Sequence, residues 1–346
     1  GFLTPVLLPS DAENTRALFL YIALLDLGVA AVALRKRWHY LVLLAAVGTV
    51  LTQLGWAWEF FRTSAQGAEI FWIFLGFEAL FLAVFFLRGP QVPSNTWTAA
   101  AAAVVGFITL GFGFWLLAIP LLARAPLYFF SFVFLADAGV LALPVLGRTH
   151  RLIAVGAAAV AFALVASWIE MFARQTALAA SLSAIVIFAL LHAATTPAGA
   201  WRPPFVPFTA TGTLAPFLLL VLLIKRVPIW NPTPVFVVTL ILTTILLGAA
   251  IVKRADWLAV AALSGSALTE LAWQGIRFTD AQAIPALVCY GLLLLIFVAF
   301  PFCSVETEKV WSWAISALAQ VIAFWFFERA IVTAFPNDRM GLLPTC

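Results

Sequence analysis

Five carboxylate side chains lie inside strongly apolar stretches of this 346-residue sequence, and they are the residues best placed for chemistry. A charge buried in an apolar environment is costly unless it is paired, so each carboxylate needs a partner or a function. Buried carboxyl groups can bind protons or cations, or they can hydrogen-bond between neighbouring segments. The five are Asp26, Glu78, Asp137, Glu170 and Glu270.

Asp26 and Asp137 occur in the same short pattern, Asp-x-Gly-Val, which includes Gly28 and Gly139. Asp26 precedes the basic residue Arg35 by about 13 Å of helix, which places it near the middle of an apolar span. A functional interpretation makes the two carboxylates proton or cation sites related by internal symmetry. A structural interpretation makes them hydrogen-bonding residues that fix helix packing, and this is the commoner role.

Glu170 and Glu270 lie close to Trp168 and Trp273, toward the ends of their apolar segments. Trp residues favour the boundary between membrane and water, so the sequence predicts that both glutamates are anchors at that boundary. A ring of ligands for a polar headgroup is the alternative. Both interpretations stay open at the level of sequence.

His192 is the only histidine within a predicted helix. A haem or chlorophyll could use such a ligand, but a single histidine without a second ligand more often hydrogen-bonds within the packing. The sequence contains no Walker loop, dinucleotide fingerprint, HExxH pattern or nucleophile elbow. We therefore predict no cofactor, no metal and no enzymatic activity.

The elements that must position these residues follow from composition. Hydrophobic residues make up 64% of the chain and charged residues 10%, and the mean hydropathy is +1.09. Such values indicate a polytopic membrane protein, in which a charge at the centre of a span costs about 2.5–3.5 kcal/mol. The apolar segments are too long for barrel strands, so the predicted class is all-α, with about twelve transmembrane helices. The lipid bilayer is the predicted partner, and nucleic acid is not.

An internal repeat organises these helices. Shifting the sequence by 217 places superposes charged and aromatic positions, and a shift of 111 places superposes Asp26 on Asp137; Thr243 stands at the equivalent place in the third copy. Three four-helix repeats are predicted, at 1–125, 126–232 and 233–346. The matches at 217 places pair Lys36, Arg37, Gly48 and Trp56 with Lys253, Arg254, Gly265 and Trp273.

Basic turns suggest an orientation. Arg35, Lys36 and Arg37 follow the first helix, and basic residues follow the first helix of each later repeat, at 148–151 and 253–254. The positive-inside rule places these turns in the cytoplasm, although basic residues at the other helix ends leave the overall bias small.

The opening residues and the first two helices resemble a large bacterial family of predicted membrane proteins defined only as a domain of unknown function. The resemblance lies in Gly1, Phe2, Thr4 and Pro5, then in the basic turn 35–38, and then in Gly48 and Thr49. It implies a long array of transmembrane helices in the bacterial inner membrane and supplies no catalytic residues. It also implies that Gly1 is internal to a longer polypeptide.

We expect a non-enzymatic, structural or accessory subunit of a larger membrane assembly. A proton-coupled transporter or flippase for a small solute or an envelope lipid is the alternative, with Asp26 and Asp137 as proton sites. A membrane-embedded glycosyl or acyl transferase using Glu69 or Asp256 is a further alternative.

Overall fold

The computed structural model describes residues 15–60, 67–87, 96–146, 152–195, 206–253, 255–303 and 310–334. Every regular element in these ranges is a helix, which confirms the all-α class. The opening segment 1–14, the basic turn 148–151 and Arg254 lie outside the described residues. The α-helices are α1 (Thr15–Lys36), α2 (Tyr40–Phe60), α3 (Gly67–Ile70), α4 (Gly76–Leu87), α5 (Thr96–Leu117), α6 (Pro120–Ala123), α7 (Pro126–Leu146), α8 (Leu152–Phe172), α9 (Leu178–Thr195), α10 (Val206–Arg226), α11 (Thr233–Lys253), α12 (Asp256–Ile276), α13 (Ala283–Cys303) and α14 (Val310–Ala334).

Within the described ranges, nine helices are long and apolar enough to cross a membrane. The predicted count of about twelve is therefore not confirmed. One helix outside the nine is α12, which contains Glu270 and Gln274. This helix packs against α10, α11 and α14, so much of its surface is covered by protein. Polar side chains on a central helix lower its hydropathy without facing lipid.

Proline residues mark several helix limits. α5 ends at Leu117, Pro120 is the first residue of the short α6, and Pro126 is the first residue of α7. Proline is tolerated at a first helical position because the amide it lacks has no intrahelical partner there.

The chain divides into two compact units, Gly1–Leu164 and Val165–Cys346. In the first unit, α5 packs against α2, α4 and α7, and α1 packs against α2. In the second unit, α12 occupies the corresponding central position. The predicted boundaries at 125/126 and 232/233 remain predictions.

Two turns between helices have the same hydrogen bonds. After α1, the amide of Trp38 donates to the carbonyl of Ala33 at 3.0 Å, and Arg37 adopts a left-handed conformation with φ 60°. After α11, the amide of Ala255 donates to the carbonyl of Ala250, also at 3.0 Å. This spacing is the Schellman arrangement, which satisfies carbonyls that the end of a helix leaves unpaired.

Trp168 and Trp273, which the sequence predicts at the boundary between membrane and water, are instead buried in packing, and so is Trp56. Trp56 contacts Phe19 edge-on, with ring centroids 5.5 Å apart, and its indole N–H donates to the hydroxyl of Thr15. Trp273 contacts Phe236 in the same manner at 5.9 Å. Trp58, in contrast, is largely exposed. An indole ring can serve either role, and sequence alone did not separate them.

Basic side chains in the second unit donate hydrogen bonds to carbonyls at the C-terminal ends of helices. The Arg277 guanidinium donates to the carbonyls of Ile224 and Val227 at 2.9 and 2.8 Å, at the end of α10. The Lys253 ammonium donates to the carbonyl of Ala193 near the end of α9. Cations are favourable at helix C-termini, where the last carbonyls have no intrahelical donor.

Substitution of Gly265 by Ala should destabilise the protein by about 1–3 kcal/mol, because a Cβ there would lie within 2.5 Å of Cγ of the buried Phe217 ring. The matched control is Gly248→Ala, whose added methyl group meets open space. Thermal unfolding in detergent should show a lower midpoint for Gly265→Ala alone. Equal midpoints for the two variants would contradict the close approach of α10 and α12.

Candidate functional site

Four of the five predicted carboxylates are buried, and Glu170 is the exception. Asp26, Glu78, Asp137 and Glu270 are each at most 6% exposed. The structure brings Glu78 into the neighbourhood of Asp137, a pairing that the sequence pattern does not predict. The shared Asp-x-Gly-Val pattern groups Asp26 with Asp137, but a shared pattern concerns ancestry and not contact.

Asp26 hydrogen-bonds between two helices. The hydroxyl of Thr49 on α2 donates to a carboxylate oxygen of Asp26 on α1 at 2.6 Å, and both residues are buried. A hydrogen bond to an acidic oxygen inside a low-dielectric bundle is strong and directional. This contact fits the packing interpretation of Asp26.

Glu78 lies on α4 against two glycines of neighbouring helices. A Cβ added at Gly139 of α7 would lie 2.8 Å from Cδ of Glu78, and one added at Gly106 of α5 would lie 3.1 Å from its Oε1. The carboxyl group therefore occupies space that any larger residue at 139 would fill. Small residues allow helices to approach closely in membranes, and here they make room for a carboxyl group.

Glu78 and Asp137 form a buried carboxyl pair. Glu78 is 3% exposed and Asp137 0%, and the two are near enough to interact electrostatically. Neither carboxyl oxygen of Glu78 has a hydrogen-bond partner among the described residues. Two carboxylates in one apolar site repel each other when both are ionised, which favours a proton bound at the pair. Glu78 lies near the middle of the continuous helical run 67–87 and Asp137 near the middle of α7, each at ~15 Å from either end.

Glu270 is buried near Tyr290, so it is not an anchor at the water boundary as predicted. Glu170 fits the anchor role better, since it lies near the end of α8 with its side chain about half exposed. There the Arg226 guanidinium lies 3.8 Å from the Glu170 carboxylate and donates to its backbone carbonyl at 2.9 Å. An exposed pair of this kind contributes little to stability.

His192 is buried near the end of α9. Among the described residues no group of three or more His, Cys, Asp or Glu side chains could hold a metal ion.

A π-helical segment, Phe71–Leu75, joins α3 to α4. Side chains from two other helices bond to its carbonyls: Gln53 of α2 donates to Ile73 at 3.2 Å, and Thr109 of α5 donates to Phe74 at 3.3 Å. A π turn widens the helix and disturbs the regular hydrogen-bond ladder, and such turns are frequent at functional sites. Polar residues on α2 and α5 thus stabilise an irregular backbone inside the first unit.

An open groove of about 620 Å³ lies between α1 and the π segment with α4. We call it the α1–α4 groove. The buried side chains of Phe19, Ile73 and Phe77 form its floor. Trp72 and Gly76 line its side. One end is polar, where the Arg16 guanidinium lies 3.4 Å from the Glu69 carboxylate. Polar groups at one end of an apolar cleft suit an amphipathic ligand.

Long apolar helices with carboxyl groups buried between them define a multi-pass integral membrane protein. Residues 1–227 match the family described as "Predicted membrane protein (DUF2339)", and the chain belongs to this family. The family predicted from the opening residues is thereby confirmed. Comparison with curated proteins gave no match, and comparison with solved structures gave none either.

The contact between Gly139 and Glu78 can be tested by a double-mutant cycle. Gly139→Ala should destabilise the protein by about 1–3 kcal/mol, since its methyl group collides with the Glu78 carboxyl. In a Glu78→Ala background the same substitution should cost at least ~1 kcal/mol less, because the carboxyl is gone. Chemical unfolding in detergent provides both free energies.

The control for this cycle is Gly28→Ala, at the matching position of the Asp-x-Gly-Val pattern on α1. A Cβ at Gly28 meets nothing within 4 Å, so this substitution should leave stability unchanged or raise it slightly. Additive effects of Gly139→Ala and Glu78→Ala would show that the two side chains do not meet.

Proposed function

We propose that this protein is a proton-coupled membrane carrier of the flippase type, in which Glu78 and Asp137 bind the proton. The observation that supports this most strongly is the state of Glu78, whose carboxyl is buried near Asp137 with both oxygens unpaired among the described residues. An ionisable group of this kind inside a bundle is by default a functional site. A purely structural role would favour a hydrogen-bonded arrangement such as that of Asp26 and Thr49.

Helix α4 connects the carboxyl pair with the α1–α4 groove. Phe77 on α4 forms part of the groove floor, and the adjacent Glu78 faces α5 and α7. Loss of the proton would leave two like charges between α4 and α7, and the resulting repulsion would separate these helices. Movement of α4 changes the width of the groove, so proton binding and ligand binding are coupled through one helix.

A lipid is the favoured substrate class over a small solute because the groove opens sideways. Leu20 on α1 is 64% exposed and Trp72 is 80% exposed, and both line the groove. Exposed apolar side chains on a membrane-crossing helix contact acyl chains. We place the protein in the bacterial inner membrane on the basis of the family resemblance.

The four-helix repeat is part of this proposal. Helix α1 ends at Lys36 and α11 at Lys253, which are 217 places apart, and the Schellman turns that follow occupy equivalent positions. The contact of Phe19 with Trp56 is equivalent to that of Phe236 with Trp273. These equivalences support a common origin for the first and third repeats. In carriers, repeats of this type meet at a site near the membrane midplane.

The alternative is the structural or accessory subunit expected from the sequence, and the Asp26–Thr49 hydrogen bond favours it, because that carboxyl serves packing. Purification in mild detergent would then recover a stoichiometric protein partner. A membrane-embedded transferase is the least supported alternative.

Transport can be measured in proteoliposomes that contain a fluorescent phosphatidylethanolamine in both leaflets, with dithionite added outside to destroy the accessible probe. Imposing a pH gradient should accelerate movement between leaflets in the wild type. Glu78→Gln and Asp137→Asn should each abolish the acceleration, so that movement between leaflets proceeds at the same rate with and without the gradient.

Glu59→Gln is the control, since Glu59 is an exposed glutamate near the end of α2 in the same unit. It should retain the full response to the gradient. Wild-type vesicles that do not respond to the gradient, or a Glu78→Gln variant that responds normally, would contradict the proposal.

A further inference from the structure

The two charges at the end of the α1–α4 groove lie where a lipid headgroup would lie. Arg16 is the second residue of α1, and Glu69 is the third residue of α3. Both are therefore near the beginning of helical segments that run toward the membrane interior. Helix ends of membrane-crossing segments reach the interfacial region, where headgroups are found.

The length of the groove matches one leaflet. The lining residues on α3, the π segment and α4 extend from Glu69 to Leu80, a run of ~16 Å at 1.5 Å per residue. Half of a hydrocarbon core of about 30 Å is ~15 Å. An acyl chain that begins at the polar end would therefore reach the middle of the bilayer within the groove.

The charges also select a headgroup. A guanidinium binds a phosphate with two parallel hydrogen bonds, and a carboxylate accepts hydrogen bonds from a primary ammonium. Arg16 and Glu69 offer one group of each kind, 3.4 Å apart between Nε and Oε1. An anionic headgroup without an amine could bind Arg16 through its phosphate. It would bring no cation to the Glu69 carboxylate and would place a negative charge beside it. The pair is therefore complementary to a zwitterionic headgroup.

We propose that the α1–α4 groove binds one acyl chain of a zwitterionic glycerophospholipid, with its phosphate at Arg16 and its primary ammonium at Glu69. This inference names the substrate class of the carrier proposed above and in that sense rests on it. Binding is nevertheless a separate property from transport, and it can be measured alone.

Gly76 provides a variant that blocks the groove without disturbing the bundle. It lies in the groove lining, and a Cβ added there meets nothing within 4 Å. A leucine at this position would occupy the space of the acyl chain. Gly55 on α2 is equally open and lies outside the groove lining, so Gly55→Leu is the matched control.

The experiment is native mass spectrometry of the delipidated full chain, titrated with phosphatidylethanolamine, phosphatidylcholine and phosphatidylglycerol of identical acyl chains. The wild type should bind one phosphatidylethanolamine in preference to the other two lipids. Gly76→Leu should weaken that binding by about tenfold or more, because tenfold corresponds to burial of about two methylene groups. Gly55→Leu should bind as the wild type does.

Headgroup recognition has its own readout. Glu69→Gln should remove the preference for phosphatidylethanolamine over phosphatidylglycerol, because the amide no longer attracts the ammonium or repels an anion. Equal affinity of Gly76→Leu and wild type, or a wild-type preference for phosphatidylglycerol, would overturn the inference. If binding follows the expected pattern and gradient-driven movement is absent, the binding site stands and the proton-coupled carrier does not.

Discussion

The structure depends on one constraint, which is that polar groups inside a membrane bundle must find partners within the chain because lipid supplies none. Thr49 meets this requirement for one carboxylate oxygen of Asp26, and Gln53 and Thr109 meet it for two carbonyls of the π segment. In the second unit Arg277 does so for the end of α10. These contacts cross between helices, so they fix how neighbouring helices are rotated as well as how close they lie.

Glu78 departs from this arrangement. Its carboxyl lies against glycines of α5 and α7, near Asp137, and no described group donates to it. A site held in this way costs free energy unless it binds something, and a proton is the smallest ligand that relieves the repulsion. The same helix forms one side of an open, largely apolar groove. One helix thus carries the buried carboxyl on one face and lines the groove with another.

Hydropathy was sufficient to predict an all-α membrane protein, because it is a signal that is local in sequence. The candidate site needed more. The rotation of each helix decides whether Trp56 faces lipid or Phe19, and whether Glu270 faces water or Tyr290. Rotation follows from contacts between helices, and apolar residues cover every side of these helices. The glycines at 106 and 139 were the available signal for the carboxyl pair, since a small residue marks a close approach.

The π segment determines which way the second half of its helix faces. Each residue of an α-helix turns the chain by about 100°, so one residue more or fewer between Gly67 and Gly76 would rotate everything beyond it by that angle. The carboxylate of Glu78 would then leave the glycines of α5 and α7, and Phe77 would leave the groove. The number of residues in the widened turn therefore sets the rotation of α4 about its axis. At this rotation a single helix presents an acid on one side and an apolar surface on the other.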